Sequence, residues 1–490
     1  MAVKAKKGVW PRMRLKNAMM RLFTAAKSEE FWSSWGKSVT TIDQAIHDDW
    51  ESLVARSREQ YANNGYVKRF VNLCQTNIVG EQGVSVQSTV VDARNVPDVA
   101  VQRLIESEWA NFSQSVTPCG MSRADFESLV IQGCAIDGEV FVRPIVSKSA
   151  RYGVQFTLVD PILCPVWYHD SDKNIRHGIE YDKSGKPIAY YFSDAPIKRS
   201  IWSTQMAQMG EKLTRVSASQ IWHIFLPEWV GQKRGVPWVA GALGQLKNID
   251  GYVEAAILNA RVGATKMGFF ETTGSGEYVG EEDALGNLVM EAEPGSFEVL
   301  PEGLKLSTWN PDYPHQQFGE FLTANLKCVA ATLGVANHSL TGDMSGVNYS
   351  SARIASLDER DMWKMKQAWL IHRLVRPMFE IFITYSIDMG KLSFNGNPMR
   401  EQPEHYFAAN YQGRRWQWVD PQKEVVGAKE AVSMNTKSLS DIIREQGKDP
   451  ETVWREIAKE RQMLDSLGIS YETMRNEVTQ PEVANNDSND

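Results

Sequence analysis

Residues 237–261 read PWVAGALGQLKNIDGYVEAAILNAR. Val239, Ala242, Leu243, Leu246, Ile249, Val253 and Ile257 recur at steps of three and four, and Lys247, Asp250, Glu254 and Arg261 mark a polar face. That spacing predicts a long amphipathic helix. The next stretch, 268–311, shifts in composition: seven glycines, an excess of acid, and short β-like runs at 297–300 and 304–309. It predicts a compact β insertion. Helical spacing returns with Phe318, Phe321, Leu322, Leu326, Val329 and Leu333 and stops at Gly334. Two helices flanking an insertion make a stalk with the insertion at its tip.

Further out, residues 1–50 read as loosely structured and amphipathic. Helical spacing begins near Trp50 and ends at Gly80 and Gly83, before a strand over 84–88. Helices are predicted at 101–112 and 123–136, and strands at 140–145, 154–159 and 221–225. A hairpin is predicted from 178–181 and 187–192 across Asp182-Lys183-Ser184-Gly185. On the C-terminal side, Thr341-Gly342-Asp343-Met344-Ser345-Gly346-Val347-Asn348 is a polar loop with two glycines. A helix of about 42 Å is expected from Tyr349 to the residue before Pro377. The proline should kink it by removing a backbone bond and crowding the preceding turn. Shorter helices are expected at 422–435 and 438–446, and another after the start signal Asp449-Pro450-Glu451. Residues 471–490 hold five acids against one base and should be disordered.

The composition is that of an ordinary soluble protein: 490 residues, 42% hydrophobic and 23% charged. The length suggests about three domains. No run of apolar residues is long enough for a membrane span, and no secretory pattern opens the chain. Cys74, Cys119, Cys134, Cys164 and Cys328 are scattered, and they read as reduced, mostly buried thiols. The net charge of −7 is uneven, because residues 1–28 carry eight Lys/Arg and no acid. That arm suits nucleic acid or an acidic partner, and equally a solvated tail.

Catalytic patterns are missing. Gly36-Lys37-Ser38 is the nearest fragment to a phosphate loop, but Phe31 stands where the first glycine belongs. Gly185-Lys186 runs into Pro187 and belongs to the hairpin, and Gly274-Ser275-Gly276 lacks a strand–helix context. The eight histidines form no zinc-binding spacing, and His169-Asp170-Ser171-Asp172 reads as a solvated turn. Asp137-Gly138-Glu139 reads as a helix-to-strand turn. No nucleophile elbow occurs. The expectation is a non-enzymatic helical scaffold with a β insertion, without cofactor or metal.

Several segments resemble the portal proteins of tailed double-stranded-DNA phages, in their lambda-like branch. They are Ala55-Arg56-Ser57-Arg58 followed by Asn63-Asn64; Asp137-Gly138-Glu139; Gly178-Ile179-Glu180-Tyr181-Asp182; and Gln232-Lys233-Arg234-Gly235-Val236-Pro237. The most specific are Leu340-Thr341-Gly342-Asp343 leading into Asn348-Tyr349-Ser350-Ser351-Ala352-Arg353, and Trp418-Val419-Asp420-Pro421-Gln422-Lys423-Glu424. Their order holds over most of the chain, from about Arg56 to Gly468.

The resemblance implies an α+β portal-like architecture. It has a basic arm at 1–50, wing at 51–236, stem helix at 237–266 and clip at 267–313. A second stem helix follows at 314–340, then a tunnel loop at 341–348. The long kinked helix with further wing occupies 349–420, and a helical crown with an acidic tail 421–490. It implies a homo-oligomeric ring, usually of twelve subunits, at one capsid vertex of the virion, assembled in the host cytoplasm. Double-stranded DNA would pass through it during packaging and ejection. The implied partners are the terminase large subunit, a head-completion or connector protein, the major capsid protein and scaffold, with no membrane. The competing readings are a non-catalytic head–tail adaptor and a nucleic-acid-processing subunit. Thr341, Gly342, Asp343, Met344, Ser345, Gly346, Val347 and Asn348 would then face DNA. They include no Lys or Arg and one acid, which favours weak contact with a polyanion.

Overall fold

Thr41 starts the first helix by accepting a hydrogen bond from the Gln44 N–H, so α1 (Ile42–Asn63) begins inside the stretch expected to be loose. Its burial of Ile46, Trp50 and Val54 against Val166 holds it in place. The computed structural model describes residues 41–194, 213–264, 268–272, 304–308, 318–394, 397–398, 402–416 and 421–468. The basic arm at 1–28, the run at 297–300 and the tail at 471–490 lie outside the described residues.

After α1 come α2 (Gly65–Cys74), a π-helical turn at Gln75–Val79, β1 (Ser85–Ser88), α3 (Val99–Ser113) and α4 (Arg123–Asp137). Strands β2 (Glu139–Val146), β3 (Val154–Val159), β4 (Ile175–Arg176), β5 (Ile179–Tyr181), β6 (Pro187–Ser193), β7 (Leu213–Ser217) and β8 (Trp222–Phe225) follow. They form two antiparallel sheets, in order β3-β2-β8 and β4-β5-β6-β7. The expected hairpin is β5–β6, with a bulge at Glu180/Tyr181.

Strand β2 is buried on both faces, as a central strand between layers must be. Val140 and Val142 join the main core, while Phe141 packs with Ile179, Tyr190 and Phe192 of the second sheet. The main core is aromatic. Trp109 and Phe112 on α3 meet Phe379 and Phe382 at centroid distances of 5.0–5.2 Å.

The stretch that opened the sequence forms α5 (Ala240–Ala264), followed by β9 (Gly268–Thr272) and its antiparallel partner β10 (Leu304–Thr308). Helix α6 (Phe318–Leu333) returns alongside α5, and Tyr252 stacks on Phe318 at 5.4 Å. Then come the short α7 (Asn337–Thr341) and α8 (Tyr349–Leu370). Ahead of Pro377 the helix does not simply bend. It widens into a π-turn at Ile371–Val375, where the Arg376 N–H bonds the Ile371 carbonyl, and continues as α9 (Arg376–Asp388). Proline cannot donate to the carbonyl four residues back, and the π-turn accommodates that missing bond.

The chain closes with β11 (Ser393–Phe394), β12 (Asn397–Pro398), β13 (Ala409–Gln412), α10 (Pro421–Ser433), α11 (Leu439–Glu445) and α12 (Pro450–Ser466). Strand β13 pairs antiparallel with β1. Ser438 and Asp441 form a reciprocal capping box at α11, and Asp449 caps α12, as the local sequence predicts. All five cysteines are free; Cys74, Cys134 and Cys164 are buried, Cys119 and Cys328 exposed. No helix among the described residues is long and apolar enough to cross a membrane.

Candidate functional site

Segments far apart in sequence lock together at the root of α5. The Glu139 carboxylate is fully buried and accepts from Arg234 Nε at 2.7 Å, His223 Nε2 at 2.8 Å and the Gly235 N–H at 2.5 Å. Arg234, equally buried, also donates to the carbonyls of Cys164 and His177 at 2.9 Å and Pro161 at 3.3 Å. Its guanidinium lies 4.9 Å from the Trp50 ring centroid, and the Trp50 indole N–H donates to the Gly235 carbonyl at 2.9 Å. Burial alone would push the Glu139 carboxyl up, but Arg234 and His223 outweigh it and hold the group at about 2.

Gly138 lets the 235–236 segment approach the start of β2. Its φ is +87°, and a Cβ there would lie 2.3 Å from the Val236 carbonyl carbon. One residue earlier, Asp137 takes Arg58 bidentately at 2.7 and 2.9 Å. Asn64 and Gln60 fasten α5 directly, donating to Asp250 at 3.0 and 3.2 Å. The Asp137-Gly138-Glu139 turn is therefore structural, and it fixes α5 against α1 and the central sheet.

The second part is the connection from α7 to α8. Thr341 ends α7, so the exposed loop proper runs from Gly342 to Asn348, and Gly342 and Gly346 adopt positive φ of 76° and 72°. Asp343 and Met344 project into solvent, and Met344 is 57% exposed. The Ser345 N–H donates to Asp343 Oδ1 at 2.8 Å, and hydrogen bonds from Ser345 hold the Asp343 carboxyl below its ordinary range. Asn348 caps α8 by accepting from the Ser351 N–H at 2.8 Å. The loop's entry is anchored more firmly. Glu359 on α8 accepts from the Ala336 N–H at 3.2 Å, the Ser339 hydroxyl at 2.8 Å and the Trp363 indole at 3.1 Å. The loop thus presents hydroxyls, amides and one ionised carboxylate from a fixed base, and Lys327 of α6 is the cation whose charge reaches Asp343.

The family profile described as phage portal protein, lambda family, matches residues 29–367, which is more than half of the chain. The chain belongs to the lambda family of phage portal proteins. A probable portal protein of Halomonas phage phiHAP-1 is 30% identical over 473 residues, covering 93% of this chain and 89% of that one. Portal protein B of Escherichia phage lambda is 24% identical over 397 residues, 72% of each chain. Chains from the virion of a native gene transfer agent particle and from its neck cover 82% of this portal protein at 13% identity, with TM-scores of 0.42 and 0.43.

Helix α8 carries the basic residues Arg353, Arg360, Lys364 and Lys366. This portal protein divides them. Lys364 pairs with Asp361 at 2.8 Å in solvent, and Arg353 reaches Glu424 on α10 at 3.8 Å. Glu359 serves α7 and Trp363. Lys366 is half-buried, its ammonium 4.0 Å from the Trp238 ring centroid, and loss of water around it lowers its pKa. A cation over an indole face retains an electrostatic partner after losing water. The brace through Arg58, Asp137, Glu139, Arg234 and Trp50 was not read from the sequence as one unit. Charged side chains in the quoted portal-like segments gave no pairing signal, because their partners lie 79 to 95 residues away in sequence.

Proposed function

We propose that this chain forms the ring-shaped channel at one capsid vertex through which double-stranded DNA is packaged and ejected. The ring has twelve subunits, stands in the virion, and docks the terminase large subunit and then the head-completion protein. Family membership carries this reading. In it, α5 and α6 form the stem, the segment bearing β9 and β10 forms the clip, and residues 341–348 form the tunnel loop.

The loop's chemistry supports the assignment. A conduit must let the duplex slide, and every phosphate neutralised by a cation adds affinity that resists sliding. The loop holds its one charge as an ionised Asp343. Repeated around a ring, it gives a girdle of negative charge that repels the passing backbone.

Two measurements test this. End-on electron micrographs with mass measurement of purified protein should show closed rings, and a lone subunit under all assembly conditions would remove the channel reading. Asp343→Lys should leave ring assembly intact and slow or arrest DNA translocation in a packaging reaction. An unchanged packaging rate would separate the loop from the DNA path.

A further inference from the structure

A cleft of about 450 Å³ beside the N-terminus of α1 holds three imidazoles. His47, His169 and His177 each turn a ring nitrogen toward the others, with these atoms all within 4.8 Å of one another. No spacing in the sequence marks this cluster, because the histidines come from α1, from the turn before β4 and from the β4–β5 connection. Backbone geometry brings the last two together: Asp170 bridges Ile175, and the Gly178 N–H donates to the Tyr168 carbonyl at 3.0 Å. His177 itself sits at φ 55°, a strained position for a residue with a side chain.

A fourth group faces the same point. Asp43 lies one helical turn before His47 and therefore on the same face of α1. Its Oδ2 is ion-paired to Lys233. Its Oδ1 is buried with no hydrogen-bond partner, 3.9 Å from His177 Nε2. A buried carboxylate oxygen left without a donor is unfavourable and calls for a ligand. His177 is oriented as a ligand would be. Its Nδ1 lies 3.3 Å from the Val166 carbonyl, so a proton there donates to that carbonyl and leaves the Nε2 lone pair directed at the cluster. His47 and His169 stand exposed at the mouth, while His177 is buried at the base.

We propose that His47, His169, His177 and Asp43 bind one first-row divalent transition-metal ion, and that the ion is zinc. Three imidazoles and a carboxylate suit zinc and disfavour magnesium and calcium, which prefer all-oxygen shells. Tetrahedral zinc with bonds of about 2.0–2.1 Å places its ligand atoms roughly 3.4 Å apart. The two exposed rings close that gap by side-chain rotation. His169 must first release the His177 N–H, which it accepts through Nδ1 at 3.2 Å, if that nitrogen is the ligand. The ion would staple α1 to the β4–β5 hairpin. Through Lys233 it would also tie to the 232–237 segment that leads into α5.

Tag-free protein, stripped with chelator and dialysed, is titrated with Zn²⁺ by calorimetry, and its bound metal is measured by mass spectrometry. One ion per chain is expected, with a rise in the midpoint of thermal unfolding. The double variant His47→Ala/His169→Ala removes two exposed side chains and should fold. It should lose zinc affinity by more than the ~10–100-fold that loss of an outer-shell partner costs. A His405→Ala control should bind normally. Co²⁺ in the wild type should give the visible absorption of a four-coordinate site, absent from the double variant. Sub-stoichiometric metal, or binding unchanged in the double variant, overturns the site.

Discussion

At the scale of single residues, the most consequential feature is a carboxylate and a guanidinium that have both left water. Glu139 and Arg234 are 0% exposed and share one ion pair. Such a pair adds little relative to an apolar substitute, but removing one member strands the other charge at about 3–5 kcal/mol. Glu139→Gln should therefore destabilise the folded subunit by about 3–5 kcal/mol in denaturant unfolding. The pH dependence has a definite sign. Glu139 is held at about 2 against an ordinary 4.5, so below 4.5 the unfolded chain takes up a proton that the folded one refuses. The stability it contributes is complete above about pH 4.5 and falls away toward pH 2. In a thermal-unfolding series the gap between wild type and Glu139→Gln should narrow over that window. A constant gap would mean the charge of Glu139 is not what the brace uses.

Among elements, what was legible in the sequence was whatever is encoded locally. The periodicity of α5 and α6 and the caps Ser438 and Asp449 lie within a few residues of the helices they specify. Strand β13 was missed because its partner, β1, lies at the other end of the chain and its four residues carry no pattern of their own. The brace and the histidine cluster were missed for the same reason, since each joins residues whose neighbours in sequence say nothing about the pairing. The π-turn at Gln75–Val79 shows how such long-range contacts repair a local defect. Its carbonyls at Thr76 and Asn77 are taken by Arg414 Nη1 at 2.8 Å and Gln367 Nε2 at 2.8 Å, and Gln367 also reaches the Arg414 carbonyl at 3.0 Å. Gly413 leaves room for that amide, for a Cβ there would lie 2.6 Å from Gln367 Oε1. Gln367→Leu should leave carbonyls without donors and cost about 1–3 kcal/mol. Hydrogen exchange should quicken at residues 77–80 and 413–416 while α5 keeps its protection.

For the whole molecule, the question is which surface a second copy covers. Helix α8 buries Trp363, Gln367 and Leu370 on one side. At 100° per residue, Ile354, Leu357 and Met365 fall on the opposite side, 69%, 45% and 76% exposed. These side chains share the outer face with exposed Asp358 and Asp361, so α8 offers a second copy a mixed apolar and acidic surface opposite the side it buries in its own core. Head-to-tail closure needs a face of this kind on each subunit, complementary to a different patch on its neighbour. Covering an aliphatic side chain of this size is favourable by up to about 1.5–3 kcal/mol, so two charges placed in the stripe suffice to prevent closure. Ile354→Glu with Met365→Glu should give subunits that unfold at the wild-type temperature, because neither residue touches the subunit's own core. The same subunits should sediment as monomers where the wild type forms rings. If the double variant still closes, the stripe faces away from the neighbour and the contact lies elsewhere on the subunit. If it unfolds early, the stripe belongs to the subunit's own packing, and α8 has one partner rather than two.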